Sequence, residues 1–89
     1  MGPGFESSEM AAVRALVAEM SPLGVASVEP HSALVAELGF DSLGLVELLI
    51  VIEDRFGLPP LEDRELLGLE RVADLEALVL AAQGRVPLR

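Results

Sequence analysis

The sequence predicts an all-α fold, a small four-helix bundle, and three observations support this prediction. Apolar residues recur at the three- and four-residue spacing of a helix in three segments of the 89-residue chain. No segment alternates with a period of two between turn residues, as a β-hairpin would. A domain of this size buries only about 60–65% of its unfolded surface, which favours a compact bundle.

The first helix is expected to begin at a cap, Ser7 or Ser8, and to end at Ser21, because Pro22 follows. Its apolar positions follow helical spacing: Met10, Val13, Leu16, Val17 and Met20. Residues 1–7 are therefore assigned to a disordered N-terminal segment or a cloning remnant, and residues 8–83 to the domain. Residues 84–89 should form a frayed tail. The start of the chain lacks the pattern of a signal peptide.

A long connection over residues 23–40 contains several breakers and could hold one helical turn at residues 32–38. The second helix should begin at a cap, Asp41 or Ser42, and reach Phe56, since Gly57 can cap its end and two prolines follow. A short third helix is expected over residues 62–67. The last helix is marked by its apolar positions: Val72, Leu75, Leu78, Val79 and Ala82.

The second helix has two apolar faces. At about 100° per residue, one narrow face collects the expected core positions, which are Leu45, Leu48, Leu49, Ile52 and Phe56. Leu43, Val46 and Ile50 lie on nearly the opposite side, and we call them the docking strip. Carboxylates flank this strip: Glu47, Glu53 and Asp54. An exposed apolar strip with an acidic rim predicts a protein-binding surface, whereas the alternative is a central helix that is buried on all sides.

Composition excludes several classes of function. The chain has 15 acidic residues, six arginines and no lysine, so its formal charge of −9 repels nucleic acids and anionic membranes and favours basic protein surfaces. Its longest central aliphatic run is too short to cross a bilayer. Without cysteine and with His31 as the only histidine, no metal cluster is expected. The absence of cysteine is compatible with the cytoplasm, which is the expected location.

Residues 38–48 read Leu-Gly-Phe-Asp-Ser-Leu-Gly-Leu-Val-Glu-Leu, which places Ser42 after an acidic residue at the start of an apolar helix. Alone, this serine would be interpreted as a helix N-cap. It is not a hydrolase nucleophile, because the stretch is not G-x-S-x-G and no base is nearby in the sequence. The stretch resembles the attachment motif of acyl carrier proteins, and the resemblance extends from about residue 10 to residue 82. Gly44 departs from the acidic or polar residue that is common there, which leaves the choice of partners open.

The resemblance implies a non-catalytic protein whose Ser42 carries a 4′-phosphopantetheine arm derived from coenzyme A. A phosphodiester suits the N-terminus of a helix, where backbone N–H groups are free. Asp41 is implied to take part in recognition by the modifying phosphopantetheinyl transferase. The other implied partners are acyl transferases, ketosynthases and tailoring enzymes with basic docking surfaces. They would meet a monomer through the docking strip and its acidic rim, in fatty-acid or polyketide biosynthesis.

Two alternatives remain. A peptidyl or aminoacyl carrier shares the fold and the arm, although Gly39-Phe40-Asp41 favours the acyl class. An unmodified acidic interaction module could use the docking strip without any arm. The initial methionine and the Val46-Glu47-Leu48 continuation favour a free-standing protein over a domain of a larger synthase.

Overall fold

The computed structural model describes residues 4–84, without the side chains of residues 4–8 and 63. It contains four α-helices: α1 (Gly4–Met20), α2 (Ser42–Phe56), α3 (Asp63–Leu66) and α4 (Val72–Gly84). Over residues 4–84 the only β-type pairing is an isolated bridge between Ala33 and Arg71. The all-α prediction is confirmed, and α2, α3 and α4 match the expected segments closely.

The predicted start of α1 is wrong. The helix begins at Gly4, so Ser7 and Ser8 lie inside it and neither caps its first turn. After Pro3 the sequence contains no residue that forbids a helix before Met20. Residues 4–7 of the expected disordered segment are therefore helical, whereas residues 1–3 lie outside the described part of the chain. Of the expected frayed tail, only Gly84 is described, and it is the last residue of α4.

The core lies between α1, α2 and α4 and consists mainly of aliphatic side chains. Its fully buried members include Val13, Val17, Leu34, Leu48, Ile52, Val72, Leu75 and Val79. Leu45 is also buried, as expected, while Phe56 is half-buried and packs against the core. Two polar contacts join α1 to α4: Arg14 pairs with Glu76 at 2.6 Å, and Gln83 Nε2 donates to Glu9 at 3.0 Å.

The α1–α2 connection is held by a bond between its two ends and by bonds from its middle to the start of α4. Near α1, the Ser21 hydroxyl is buried and donates to the Leu38 carbonyl at 2.6 Å. One helical turn forms within residues 33–39, as expected, through backbone bonds such as Glu37 N–H to the Ala33 carbonyl. Farther from α1, backbone N–H groups at the start of α4 donate to loop carbonyls: Val72 to Ser32 and Ala73 to Pro30, while Leu34 donates to Glu70. These bonds fix the direction in which the chain enters α2.

The α2–α3 loop is tied back to the end of α2. Gly57 has a φ of +65°, and its backbone N–H donates to the carbonyl of Glu53 to close the helix. The side chain of Glu53 is half-buried and accepts from the Leu61 N–H at 2.7 Å. Both bonds converge on Glu53 and hold the start of the loop against the end of α2.

Candidate functional site

Asp41, not Ser42, caps α2. Asp41 has an extended backbone, and its Oδ1 accepts from the backbone N–H of Gly44 at 2.7 Å. Ser42 is the first helical residue, so its side chain is not needed for this bond. The interpretation of Ser42 as a simple N-cap is therefore wrong, because the preceding carboxylate already performs that role.

The Ser42 side chain is exposed, and its hydroxyl makes no hydrogen bond with any residue between positions 4 and 84. It lies in the first turn of α2, where backbone N–H groups lack helical partners and the helix dipole is positive. A free hydroxyl in this setting can act as a nucleophile towards an electrophilic phosphorus. The phosphate ester that results would be stabilised by the N-terminus of the helix.

An apolar pocket lies directly beside Ser42, between α2 and the region of α3. Its volume is about 290 Å³, and its lining consists of Ser42, Leu45, Val46, Leu66 and Leu67. A second pocket of about 250 Å³ continues from it and shares Val46 and Leu66. Apart from the serine hydroxyl, the first pocket presents only aliphatic side chains, so it suits an apolar ligand attached near Ser42.

The docking strip is exposed, as predicted: Leu43 is 66%, Val46 38% and Ile50 57% accessible to solvent. The alternative of a helix buried on all sides is wrong, because only the face that carries Leu45, Leu48, Leu49 and Ile52 is enclosed. The structure adds Leu67, which sequence reasoning missed. At 86% exposure it is the most exposed large apolar residue of the described chain, and it lines the pocket beside Ser42.

Leu67 directly follows α3, a helix of only four residues. Helical spacing alone could not indicate whether such a short element buries or exposes an aliphatic residue.

The three rim carboxylates do not behave alike. Glu47 and Asp54 are exposed and make no hydrogen bond or ion pair with other residues of the described chain. Glu53 is instead committed to the Leu61 N–H, so one of its oxygens has a structural task. The participation of all three residues in partner binding stays a prediction.

A carboxylate with a lowered pKa, that of Asp74, lies away from this site at the start of α4. The backbone N–H groups of Arg71 and Glu70 donate to the Asp74 carboxylate at 2.9 and 3.0 Å, respectively, and lower its pKa. The Arg71 N–H has the larger effect. Both bonds stabilise the charged form.

Other chemistries have no support in the part of the chain that the structure covers. No group of three or more potential ligands could hold a metal ion there. His31 is an exposed loop residue whose carbonyl accepts from Arg71 Nη1 at 2.6 Å. No described helix is both long and apolar enough to span a membrane. The cytoplasmic location stays a prediction.

Comparisons with known proteins agree with this geometry. The family model described as a phosphopantetheine attachment site matches residues 11–79. A meromycolate extension acyl carrier protein of Mycobacterium tuberculosis is 27% identical over 77 residues, which cover 86% of this chain but only 66% of that protein, just under two thirds. A protein of the same name from Mycolicibacterium aurum is 30% identical over 70 residues, covering 79% of this chain and 71% of the relative.

The fold has a counterpart of known structure. An acyl carrier protein from Thermotoga maritima superposes with a TM-score of 0.77, covering 97% of this chain and all of the other, at 24% identity. That likeness concerns the fold, whereas the family match extends over both the helices and the serine at the start of α2. Because this match spans most of the chain, the protein belongs to the acyl carrier proteins of the phosphopantetheine-attachment family, whose prosthetic group is 4′-phosphopantetheine.

Proposed function

We propose that the protein carries its 4′-phosphopantetheine arm on Ser42 and presents acyl groups to biosynthetic enzymes. The observation that carries this proposal is the exposed, unbonded hydroxyl of Ser42 in the first turn of α2, next to an apolar pocket. When attached, the arm supplies a terminal thiol on which acyl groups are held as thioesters.

Attachment requires one substitution at phosphorus. The Ser42 Oγ forms a bond to the β-phosphorus of coenzyme A, the phosphoanhydride bond breaks, and adenosine 3′,5′-bisphosphate leaves. The serine proton passes to a base of the transferase or to water. The chain contributes an accessible nucleophile and a helix N-terminus that favours the phosphodiester.

Asp41 has two tasks in this proposal. Its Oδ1 already caps α2 through the Gly44 N–H, which holds the first turn in place beneath Ser42. Its remaining oxygen is available to the transferase, because Asp41 is exposed. A negative charge beside the new phosphate is unfavourable by itself, so any benefit of that charge beyond the cap would arise during the attachment reaction.

The pocket favours fatty-acid-type acyl chains over polar polyketide intermediates. A keto or hydroxyl group placed among Leu45, Val46, Leu66 and Leu67 would lose its hydrogen bonds to water without finding protein partners. A saturated chain gains about 0.8 kcal/mol for each buried methylene. The printed names of the mycobacterial relatives, which refer to meromycolate extension, point in the same direction.

Enzymes that modify or use the arm would dock on the strip formed by Leu43, Val46 and Ile50. The strip begins one residue after Ser42, and exposed carboxylates lie beside it, so a basic enzyme surface with an apolar centre is complementary. The proposal makes the protein itself non-catalytic.

The test is an intact-mass measurement after incubation with coenzyme A and a broad-specificity phosphopantetheinyl transferase. Wild-type protein should gain the mass of a single arm, and Ser42→Ala should gain none while remaining folded. Ser27→Ala is the matched control, because Ser27 is exposed and unbonded but lies in the loop, and this variant should load normally.

A wild-type protein that stays unmodified would support the unmodified interaction module instead. To separate acyl from peptidyl carriage, acyl and aminoacyl forms of coenzyme A can be supplied to the same transferase and the loaded proteins offered to a ketosynthase or a condensation enzyme. If only the aminoacyl form were transferred, and only by the condensation enzyme, the acyl assignment would be overturned.

A further inference from the structure

The pocket beside Ser42 has an anchored floor and an exposed rim. Leu45 is buried, and Leu66 is half-buried and packs against the core, so both side chains are held in place. Leu67 lines the same pocket with 86% of its surface exposed. An aliphatic side chain at the rim of an apolar pocket is stabilised when a ligand covers it, because burial removes apolar surface from water.

The backbone at Leu67 can change direction between two anchored neighbours, the half-buried Leu66 and the buried Leu69. The N–H groups of Leu67 and Gly68 donate over 3.2 and 3.3 Å, which is long for backbone hydrogen bonds. Gly68 has no positive φ, and a Cβ there would meet only the Glu65 carbonyl at 3.9 Å, so neither backbone nor space requires glycine. The consequence of this glycine is a wider range of backbone conformations next to Leu67.

The arm places an apolar group close to its attachment point. In 4′-phosphopantetheine, the ester oxygen of the phosphate is followed by a methylene and then by a carbon that bears two methyl groups. These methyl groups lie near Ser42 in every conformation of the arm, whereas the terminal thiol and its acyl group are much farther along. Such a group is stabilised by an aliphatic surface within reach of the serine.

Two concave surfaces adjoin the start of α2, and they differ in chemistry. The pocket that Ser42 lines presents only aliphatic side chains besides the serine itself. The cleft on the side of α1 includes the carboxylates of Asp41 and Glu47, and Ser42 does not line it. Carboxylates bind water and carry the same sign of charge as the phosphate, so the base of the arm should turn towards the aliphatic pocket.

We propose that Leu67 covers the base of the arm by packing on the two methyl groups next to the phosphate. This inference rests on the proposed function, because that function supplies the arm on Ser42. The methyl groups would lie between Leu66 in the floor and Leu67 at the rim, and Leu67 would become buried when the arm is attached. Leu67 is in this sense a positioning residue, since it determines on which side of α2 the arm begins.

The first test compares unmodified protein with protein loaded from coenzyme A, with the leucine methyl groups isotopically labelled for NMR. In the loaded protein, nuclear Overhauser contacts should join the two methyl groups of the arm to the methyl groups of Leu67. Leu43 is the internal control, because it is also exposed and follows Ser42 directly but does not line the pocket. Contacts to Leu43 in place of Leu67, or to neither residue, would overturn the proposal.

Solvent access gives a second measurement, because a neutral paramagnetic agent relaxes the methyl protons that solvent can reach. Loading should lower this relaxation at Leu67 by about half or more, since the arm covers apolar surface that was exposed to water. It should leave Leu23 unchanged, which is 63% exposed but lies in the α1–α2 loop. Conversely, Leu67→Ala should raise the relaxation of the arm's methyl protons, and the matched variant Leu23→Ala should not. Equal access to Leu67 before and after loading would overturn the proposal.

The same samples separate this inference from the proposed function. Intact mass reports whether the arm is attached, and melting curves establish that both variants are folded. A protein that loads normally but leaves Leu67 exposed refutes only the cover. If Leu67 became protected only when a transferase is added, it would belong to the docking surface and the proposal would again be overturned. A protein that never loads refutes the function, and with it the arm on which this inference depends.

Discussion

The surface around Ser42 and the junction at the start of α4 use their polar groups in opposite ways. At the junction, Asp74 accepts two backbone N–H groups, and Arg71 donates to the carbonyl of His31. Around Ser42, the hydroxyl and the carboxylates of Glu47 and Asp54 have no partner in the described chain. The junction satisfies its polar groups internally and so supports the fold, whereas the Ser42 surface leaves them available to other molecules.

The apolar residues show the same contrast. Val72, Leu75 and Val79 of α4 are completely buried, while Leu43, Ile50 and Leu67 near Ser42 are more than half exposed. An aliphatic residue in the core is worth about 2–5 kcal/mol when it is truncated to alanine, but an exposed one contributes little to folding. Stability and recognition are therefore carried by separate sets of residues, even on the two faces of the single helix α2.

The largest expected effect separates those two faces. Ile52→Ala should lower the free energy of unfolding by about 2–5 kcal/mol, because Ile52 is fully buried. Ile50→Ala, its matched counterpart on the docking strip, should leave the melting temperature nearly unchanged. It should weaken binding of the transferase by about 1 kcal/mol or more, mainly through faster dissociation. Urea denaturation and binding kinetics measure both effects, and equal destabilisation by the two changes would contradict the comparison.

A smaller effect is expected at Asp41, where the two roles meet in one residue. Asp41→Ala removes the cap of α2 and should lower stability by about 1 kcal/mol. Asp41→Asn retains a capping oxygen and should be nearly as stable as wild type, because asparagine caps helices well. If its charge assists the transferase, Asp41→Asn should still load more slowly than wild type. Loading at the wild-type rate would assign Asp41 to the fold alone.

Replacing Asp74 should lower the free energy of unfolding by less than replacing Asp41 with alanine, and the size of this effect should depend on pH. Its pKa is lowered by the N–H groups of Arg71 and Glu70, so the carboxylate stabilises the folded state above its unfolded pKa of about 3.8. That contribution is lost as the pH falls through the lower folded pKa. Asp74→Asn should therefore be less stable than wild type at pH 6, by less than about 1 kcal/mol because solvent screens this exposed carboxylate, and the gap should narrow at pH 3. A gap of constant size at both pH values would contradict this assignment.

The smallest effect concerns net charge. With a formal charge of −9 and several unpaired carboxylates near Ser42, the folded state should gain stability when salt screens the repulsion. Added salt or Mg²⁺ should raise the melting temperature by about 2 °C, mostly at low ionic strength. A melting temperature that is independent of both additions would show that the charges are already well dispersed.

The sequence predicted most of the fold because its helices are marked by strong local signals. The end of α2 is an example, since Gly57 and two prolines determine where the helix stops. The start of α1 has no comparable signal. Serines can cap a helix but can also lie within one, so Ser7 and Ser8 did not define the boundary.

The site was predicted in part. Helical periodicity was sufficient to place Leu43, Val46 and Ile50 on an exposed face. It could not predict that Glu53 would bind the Leu61 N–H, because that bond depends on how the α2–α3 loop returns to the helix. Nor could it predict the bonds between the α1–α2 loop and α4, in which the partners Ser32 and Val72 are far apart in sequence.

The most direct test of the central claim is to locate the arm by tandem mass spectrometry on protease fragments of the loaded wild-type protein. The Ser42 hydroxyl lies in the first turn of α2 and is not needed as a cap, because Asp41 caps the helix. All of the added mass should therefore lie on Ser42. Added mass on any other serine, or an arm that remains when Ser42 is replaced by alanine, would contradict it.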